Sequence, residues 1–376
     1  MSPTPRELSA GLFTGSIALL MLGLQPLLLG ALADESRLDE AGIGAAATAE
    51  LLALGLTTGL LAGFVPPTRL KLVNIVGAVS LAGCNIWGCF AAGAWFAASR
   101  GAAGIASGLL MWVAVVLITR AARPERVAGI FLTVQTLAQA GLAAILPLTL
   151  MPRMGANGGL ATLAAFGLCA ALASIWLPSR LAVLGKPEGG HGNLPAGSLI
   201  GLGAVFFTMA GVVGLWIFVE QLGATPRIGA RAASLAVALA LAAQVAGSSV
   251  ATFLSSRLPP RPILIATGLL NIGAVAVLGQ AIGAPLYLAS VLLFGFLWLF
   301  AMPFQTRLLI DLDPTRRAAM LLSAAQALGS AAGPIATSAF ATKSSLGGAL
   351  VADAVLFGIG LLGVAATAGK RKSVLF

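Results

Sequence analysis

Residues 11–33 read GLFTGSIALLMLGLQPLLLGALA, an apolar run that contains no charged side chain. A transmembrane helix needs about 20 apolar residues, so this run is long enough to cross a bilayer. Of the 376 residues, 59% are apolar and only 9% are charged, whereas a soluble domain carries about 25% charged residues. The composition therefore excludes a soluble enzyme, a disordered chain and a soluble nucleic-acid-binding domain.

Eleven further apolar runs follow along the chain, and they are continuous rather than alternating. Continuous runs indicate helices, because the strands of a membrane barrel alternate polar and apolar residues over segments of about ten. We therefore predict an all-α membrane protein. Its twelve spans are expected at 11–33, 42–65, 72–92, 98–119, 127–151, 159–178, 197–219, 229–254, 262–280, 284–305, 318–340 and 346–368.

The longest polar segment, residues 179–196, lies between the sixth and seventh predicted spans. It divides the chain into an N-terminal six-helix half (1–178) and a C-terminal six-helix half (197–376), with 179–196 as a cytoplasmic linker. Gln135 and Leu137 of the first half recur as Gln326 and Leu328 in the second half. An internal repeat of this kind supports two related halves.

The net charge of +10 is distributed unevenly over this topology. With a cytoplasmic N-terminus, sixteen Lys or Arg residues fall on the cytoplasmic side and six on the opposite side. Cytoplasmic loops of membrane proteins carry such an excess. We therefore expect both termini in the cytoplasm, in a plasma membrane of the bacterial inner-membrane type. The basic excess then needs no nucleic-acid partner.

The sequence contains no pattern typical of catalysis or cofactor binding. The three cysteines lie in apolar runs, the one histidine lies in the linker, and no phosphate-binding loop is present. We expect no enzyme activity, no cofactor, no metal and no ATP-driven pumping. Two classes remain open: a secondary transporter, or a non-transporting assembly factor or receptor.

Two motifs resemble those of the major facilitator superfamily, and the resemblance extends over essentially the whole chain. Residues 100–108, RGAAGIASG, are similar to the family pattern R-x-x-x-G-x-x-x-G of the fourth span. Residues 59–71, GLLAGFVPPTRLK, follow the family loop G-x-L-A-D-R-x-G-R-[KR] in part, with Gly63 in place of the acid that helps close the cytoplasmic gate. The antiporter signature of the fifth span is missing, which weakens the case for a drug exporter.

The resemblance implies two six-helix halves that rock about a midplane substrate site. In the family the first, fourth, fifth, seventh, eighth, tenth and eleventh spans face the cavity. Polar and aromatic residues of these spans are therefore expected to bind a small organic substrate: Gln25, Gln135, Gln139, Gln244, Gln326, Trp216 and Trp298. Gln135 and Gln326, as repeat equivalents, are expected to face each other. Hydrogen bonding between helices is the structural alternative for each glutamine, and packing for each tryptophan.

Charged residues within membrane spans are costly and need an explanation. Glu50, Arg100, Glu220 and Asp353 are expected to take part in proton coupling or gating. Glu50 is the first candidate, because its own span offers no counter-charge and burial favours the neutral form of a carboxyl group. Its alternatives are a permanent ion pair with Arg100, or a cavity-lining role without coupling.

The expected partners are thus a small-molecule substrate, protons and the lipid bilayer, with the protein as a monomer. The substrate classes left open are a monocarboxylate, attracted by the cation of Arg100, and an apolar or aromatic compound that is exported. The sequence leaves open the substrate, the direction of transport, the coupling ion and its stoichiometry.

Overall fold

The computed structural model describes residues 3–122, 124–181, 194–225, 227–280, 282–313, 317–342 and 345–367. Most of the predicted linker, residues 182–193, lies outside the described part of the chain. So do several residues of the charge count: Arg123, Lys186, Arg316, Lys343, Lys370, Arg371 and Lys372, together with the side chains of Arg126 and Arg317.

The described residues fold into helices, and isolated bridges are the only β-pairings among them. Twelve long helices occur in this part of the chain, in the order of the predicted spans. They are α1 (Pro5–Ala18 and Leu20–Asp34), α2 (Glu40–Phe64), α3 (Leu70–Phe90), α4 (Gly93–Thr119), α5 (Pro124–Ile145), α6 (Ala156–Ala173), α7 (Ala196–Gly223), α8 (Ala230–Leu254), α9 (Pro260–Leu278), α10 (Ala284–Leu312), α11 (Leu322–Ser338) and α12 (Gly347–Ala366). The predicted all-α class with twelve spans is confirmed.

By length and composition, eleven of these helices can cross a membrane. The remaining helix, α11, has 17 residues, because Leu321 separates it from the short helix Arg317–Met320. Some predicted boundaries were wrong. Helix α4 begins at Gly93 rather than at residue 98, since Ala91 and Ala92 are extended and Gly93 takes a φ of +53°. Glycine adopts that left-handed conformation at no steric cost.

Contacts between connections show that successive helices run antiparallel. At the end of α1, the Arg37 guanidinium donates to the carbonyl of Ala91, at the end of α3, and to Asn157 Oδ1, at the start of α6. At the opposite end, Arg261 at the start of α9 donates to the carbonyl of Thr367, which follows α12. We call the end of the bundle at Asp34 the distal face and the end at Pro5 the proximal face.

The outer surface of the bundle is apolar, as contact with lipid requires. Exposed Leu, Val, Ile and Phe side chains occur on most of the long helices. The exposed tryptophans lie near the helix ends, with Trp87 and Trp95 near the distal face and Trp176 near the proximal face. Tryptophan concentrates at the two interfaces of a bilayer. The chain is therefore an integral membrane protein.

The helices pack in two groups of six. In the N group (α1–α6), α4 packs on α2, and α3 packs on α4 and α6. In the C group (α7–α12), α7 packs on α11 and α12, and α10 packs on α8 and α9. The groups meet mainly through three helix pairs, α1 with α7, α2 with α11 and α5 with α8, and α1 with α8 and α2 with α7 make smaller contacts.

Close approach between the groups is clearest near the distal face. At Gly44 of α2, a Cβ atom would collide with the Ser338 side chain and the Pro334 carbonyl of α11. One turn further on, Thr48 Oγ1 accepts a hydrogen bond from the backbone N–H of Ile335 at 3.1 Å. Because glycine has no side chain, the two helices touch here almost backbone to backbone.

Candidate functional site

Helix α1 is interrupted near the middle of the bundle, and side chains of two other helices bond to the interruption. Pro26 has no backbone N–H, so the carbonyl of Leu22 loses its helical partner. Trp216 Nε1 on α7 donates to that carbonyl at 2.9 Å. At the break itself, Gln139 Nε2 on α5 donates to the carbonyl of Leu19 at 2.6 Å. These two bonds tie α1 to α5 and α7.

Gln139 and Trp216 thus make the interhelical hydrogen bonds and packing contacts that were the alternative to substrate binding. The Gln139 side chain also fills the space beside Gly23 of α1, where a Cβ atom would collide with it. The Trp216 ring is fully buried, and its centroid lies 5.8 Å from that of Trp298 on α10 in an edge-to-face arrangement. Whether either side chain also contacts a substrate stays a prediction.

Four predicted substrate residues bury polar atoms that have no hydrogen-bond partner among the described residues. The side chain of Gln25 is fully buried, and neither its Nε2 nor its Oε1 is bonded. The same holds for Gln135 Oε1, Gln244 Nε2 and Trp298 Nε1. An unpaired buried polar group costs about 1–3 kcal/mol, so these atoms are available to a polar ligand or to water.

These unpaired atoms lie on helices that touch one another. Gln25 belongs to α1, which contacts α5 and α8, and α8 in turn contacts α5 and α10. Among them, Gln25 and Gln135 leave unpaired amide oxygens, and Gln25, Gln244 and Trp298 leave unpaired N–H groups. Such a set suits a ligand with several neutral polar groups.

Gln326 lies in a different environment from these residues. Its Nε2 donates to Gln305 Oε1 on α10 at 2.9 Å, within the C group. Gln135 Nε2 donates to the neighbouring Thr136 hydroxyl at 3.3 Å. In the described part of the chain no hydrogen bond joins Gln135 to Gln326, so their proposed opposition across the pathway stays a prediction.

Glu50 and Arg100 lie side by side inside the N group. Arg100 Nη1 is 3.5 Å from Glu50 Oε1, and both side chains are buried. Arg100 Nη2 also donates to Asn85 Oδ1 on α3 at 2.9 Å, and the guanidinium carbon lies 5.6 Å from the ring centroid of Phe96. The structure thus forms the ion pair that was the alternative reading of Glu50. Whether Glu50 also exchanges a proton stays a prediction.

The ion pair lies on the side of α2 that faces α4. Gly104 of α4 packs against the backbone carbonyl of Glu50, where a Cβ atom would collide. Gly108, one turn later, packs against the Thr57 side chain and the Leu54 carbonyl. By contrast Thr48, two residues before Glu50 and nearly opposite it on the helix, bonds to α11. The glycines of the fourth-span motif therefore fix a contact within the N group.

Glu220 lies where the two groups meet. Ser234 Oγ on α8 donates to Glu220 Oε1 at 2.6 Å. The second oxygen, Oε2, is buried without a partner among the described residues and lies 3.5 Å from the position of a Cβ on Gly30 of α1. The environment of this oxygen consequently depends on how closely α1 approaches α7.

Asp353 is fully buried between three helices of the C group. Its Oδ1 lies beside Gly214 of α7, at 2.6 Å from the position of a Cβ there, and Thr337 of α11 borders the same space. Neither carboxyl oxygen has a hydrogen-bond partner among the described residues, and no ion pair is seen to it in that part of the chain. Unlike Glu50, Asp353 has no cation beside it among the described residues.

Sequence reasoning identified the acids but did not place Asn85, Ser234 or Thr337 near them. Asn85 bonds to Arg100, Ser234 bonds to Glu220, and Thr337 borders Asp353. Each is a polar residue within an apolar helix, which is a visible signal in the sequence. The acid that each one contacts depends on helix packing, which a single sequence does not reveal.

Two solved structures resemble this arrangement of helices along nearly its full length. Both are crystal structures of the nucleoside transporter NupG, one of them of a point mutant. Their TM-scores are 0.71 and 0.72 at 14% sequence identity, and the match covers 98% of this chain and 100% of theirs. This is the major facilitator fold. No family model matches the sequence, and no curated protein matches it either.

The fold likeness agrees with the resemblance carried by the motifs at residues 59–71 and 100–108. At this level of identity it establishes the arrangement of the helices only. The described residues contain no group of three or more His, Cys, Asp or Glu side chains that could hold a metal ion. The unpaired polar atoms and the acids Glu50, Glu220 and Asp353 are therefore the groups on which a function can rest.

Proposed function

We propose that this protein is a secondary active transporter that moves a small organic solute by alternating access. The observation that carries the proposal is the close contact of α2 with α11, between the two groups, in a protein that also buries amide and indole groups without hydrogen-bond partners among the described residues. Alternating access needs a contact that shuts one face and polar groups that can bind a solute. The shared fold with a nucleoside transporter supports the same conclusion.

The proximal face is the cytoplasmic face in this proposal. The basic residues of the positive-inside count, such as Arg69, Arg120 and Arg257, belong to that face. The structure then corresponds to a conformation whose external side is closed. The N group, with the sequence 1–178, and the C group, with the sequence 197–376, are the two bodies that rock, joined by the linker 179–196. The membrane is a bacterial inner membrane, and the transporter works as a monomer.

The substrate class we propose is a neutral ring compound with several hydrogen-bonding groups, and nucleosides are its first representatives. Gln25, Gln135 and Gln244 supply amide groups, and Trp298 supplies an indole N–H and an aromatic surface. A monocarboxylate is a poorer fit, because Arg100 is buried and already pairs with Glu50 and Asn85. The nucleoside transporters of the same fold favour this class over an exported apolar compound.

Glu220 is the acid we assign to proton coupling. Closure of α1 onto α7 buries Glu220 Oε2 beside Gly30, and burial without a partner favours the uncharged carboxyl over the carboxylate. When α1 and α7 separate, water reaches the carboxyl group and the charged form is solvated. Closure is therefore linked to the uptake of one proton from the external side.

Glu50 and Arg100 have a different role in this scheme. Their contact lies within the N group, so it persists while the groups rock against each other. The pair holds α2, α3 and α4 together, and its proton occupancy does not need to change during the cycle. Asp353 likewise lies within one group, between α7, α11 and α12, so its surroundings also persist while the groups rock.

The test is uptake by proteoliposomes that contain the purified protein. We expect labelled uridine or adenosine to accumulate when the external solution is more acidic than the lumen. Gln25→Leu keeps the fold, removes the unpaired amide and should lower the apparent affinity about tenfold. Without flux of any nucleoside, sugar, organic acid or lipophilic cation in the panel, the non-transporting assembly factor or receptor replaces this proposal.

A further inference from the structure

A groove on the proximal face lies between the α2–α3 connection and the segment that follows α6. Six of the described residues line it: Arg69, Lys71, Leu72, Ile75, Ser179 and Arg180. Three of these six are cations and none of the six is an acid. The proposed transport mechanism makes no use of these residues.

The backbone around the groove is held in place by pairing between its two sides. The N–H of Leu70 donates to the carbonyl of Ser179, and the N–H of Leu181 donates to the carbonyl of Pro67, each at 3.1 Å. Arg69 has a φ of +56°, in the left-handed region that residues other than glycine rarely adopt. Such a conformation persists only where the surrounding structure enforces it, so the backbone that carries Arg69 is held in position.

The charges of the groove are available to an external anion. Arg69 and Arg180 are exposed, and the structure records no hydrogen bond or ion pair of either side chain within its described part. Lys71 Nζ donates to the carbonyl of Ile175 at 3.0 Å, which leaves two of its three donors free. Two guanidinium groups and an ammonium group around one space match the oxygens of a phosphate.

An apolar surface runs from the groove into the membrane-spanning region. On α3, the exposed side chains of Leu72, Val76 and Val79 follow one another at helical spacing. We call these three residues the apolar stripe. On the other side of the groove, Trp176 is about half exposed, and indole rings favour the headgroup level of a bilayer. The groove therefore lies where lipid headgroups meet their acyl chains.

We propose that this groove binds the phosphate group of an anionic phospholipid, with an acyl chain along the apolar stripe. Its continuity with the apolar stripe favours a lipid over free phosphate, because a free ion gains nothing from Leu72, Val76 and Val79. Anionic lipids are enriched in the cytoplasmic leaflet, where the basic excess places this face. The site is independent of substrate transport.

Native mass spectrometry of the full-length protein in detergent tests this site. The protein is titrated separately with phosphatidylglycerol, phosphatidylcholine and inorganic phosphate. The groove variant is Arg69→Asn with Arg180→Gln, since asparagine tolerates the left-handed region. The matched control is Arg6→Gln with Arg257→Gln, which removes two exposed arginines of the same face outside the groove.

The expected result is that the wild-type protein binds one phosphatidylglycerol at least about tenfold more tightly than phosphatidylcholine. The groove variant should lose about tenfold or more of that affinity and the control variant little. Equal losses in both variants, or no loss in the groove variant, would overturn the site. Inorganic phosphate binding as tightly as the lipid would overturn the choice of ligand. If the groove variant unfolds, Arg180→Gln alone should weaken phosphatidylglycerol about threefold, and no weakening would contradict the proposal.

Discussion

Glu50 and Glu220 are both glutamates in apolar helices, but they lie against different parts of the molecule. Glu50 pairs with Arg100 at 3.5 Å, inside the N group. Glu220 has no cation beside it in the described structure; it accepts one bond from Ser234 and turns its second oxygen towards Gly30 of the other group. One acid is held by its own group, and the other lies at the contact between the groups.

In the proposed mechanism, this difference decides which acid can respond to the rocking motion. Contacts within a rocking group would persist, so the environment of Glu50 would stay nearly constant. The distance between α1 and α7 would change on opening of the distal face, and the environment of Glu220 would change with it. The location of an acid within an apolar span therefore indicates less about proton coupling than the identity of the helix that the acid faces.

The largest effect is expected from blocking the distal contact. In Gly44→Val the new side chain has to displace Ser338 and the Pro334 carbonyl, so α2 and α11 separate and the distal face stays open. Uptake should fall to the level of empty liposomes. Distances between spin labels on the distal ends of α2 and α11 should increase.

Gly59→Val is the matched control for this variant. Gly59 lies in the same helix, and no heavy atom lies within 4 Å of a Cβ atom built there. We expect normal uptake and normal distances. Equal behaviour of the two variants would mean that closure between α2 and α11 plays no part in transport.

The next effect is the loss of stability when the ion pair is broken. Arg100→Ala leaves Glu50 and Asn85 buried without their partner, and we expect a loss of about 3–5 kcal/mol in the free energy of unfolding. The pairwise replacement Arg100→Met with Glu50→Gln should recover most of it, because no uncompensated charge remains. Thermal unfolding in detergent measures both. If the double variant is as unstable as Arg100→Ala, the claim that Glu50 and Arg100 form a structural ion pair is wrong.

A smaller effect is expected at the interruption of α1. Trp216→Phe removes the donor to the Leu22 carbonyl and should cost about 1–3 kcal/mol through that unpaired buried carbonyl, besides the lost ring volume. Trp298→Phe is the comparison, since its indole N–H has no partner in the described structure. The difference between the unfolding temperatures of the two variants measures the contribution of the hydrogen bond to stability. Equal temperatures would show that this bond contributes nothing.

The smallest effect on stability is expected at the third acid. Asp353→Asn keeps the size of a side chain that has no bonded partner among the described residues. We expect a change below about 1 kcal/mol in the free energy of unfolding. A loss as large as that of Arg100→Ala would show that Asp353 carries a charge with an essential partner.

The sequence predicts the fold well for a physical reason. Each bilayer crossing imposes a run of about 20 apolar residues, so the number and order of the spans follow from composition alone. The errors of the prediction lie at the helix ends, because polar residues do not always occur where a helix begins or ends. Ala91 and Ala92 separate α3 from α4 although both are apolar, and α10 continues to Leu312 through Arg307.

The candidate site is less predictable, because it depends on which helix faces each side chain. The sequence indicates that Glu50, Arg100, Glu220 and Asp353 are costly within a membrane. It leaves open whether Arg100 reaches Glu50 or a substrate, since both arrangements satisfy the same pattern. The structure resolves this: α4 packs on α2 at Gly104, and Arg100 lies beside Glu50.

The central claim is that Glu220 carries the coupled proton. It is tested most directly by comparing two assays of the variant Glu220→Gln: pH-driven accumulation of substrate, and exchange of substrate without a pH gradient. Glutamine mimics the uncharged carboxyl and cannot release a proton. We expect accumulation driven by an acidic external solution to be abolished while exchange of labelled for unlabelled nucleoside continues at close to the wild-type rate. Glu50→Gln with Arg100→Met, in contrast, should still accumulate substrate. Normal pH-driven accumulation by Glu220→Gln, with its loss in the Glu50 double variant, would contradict the account.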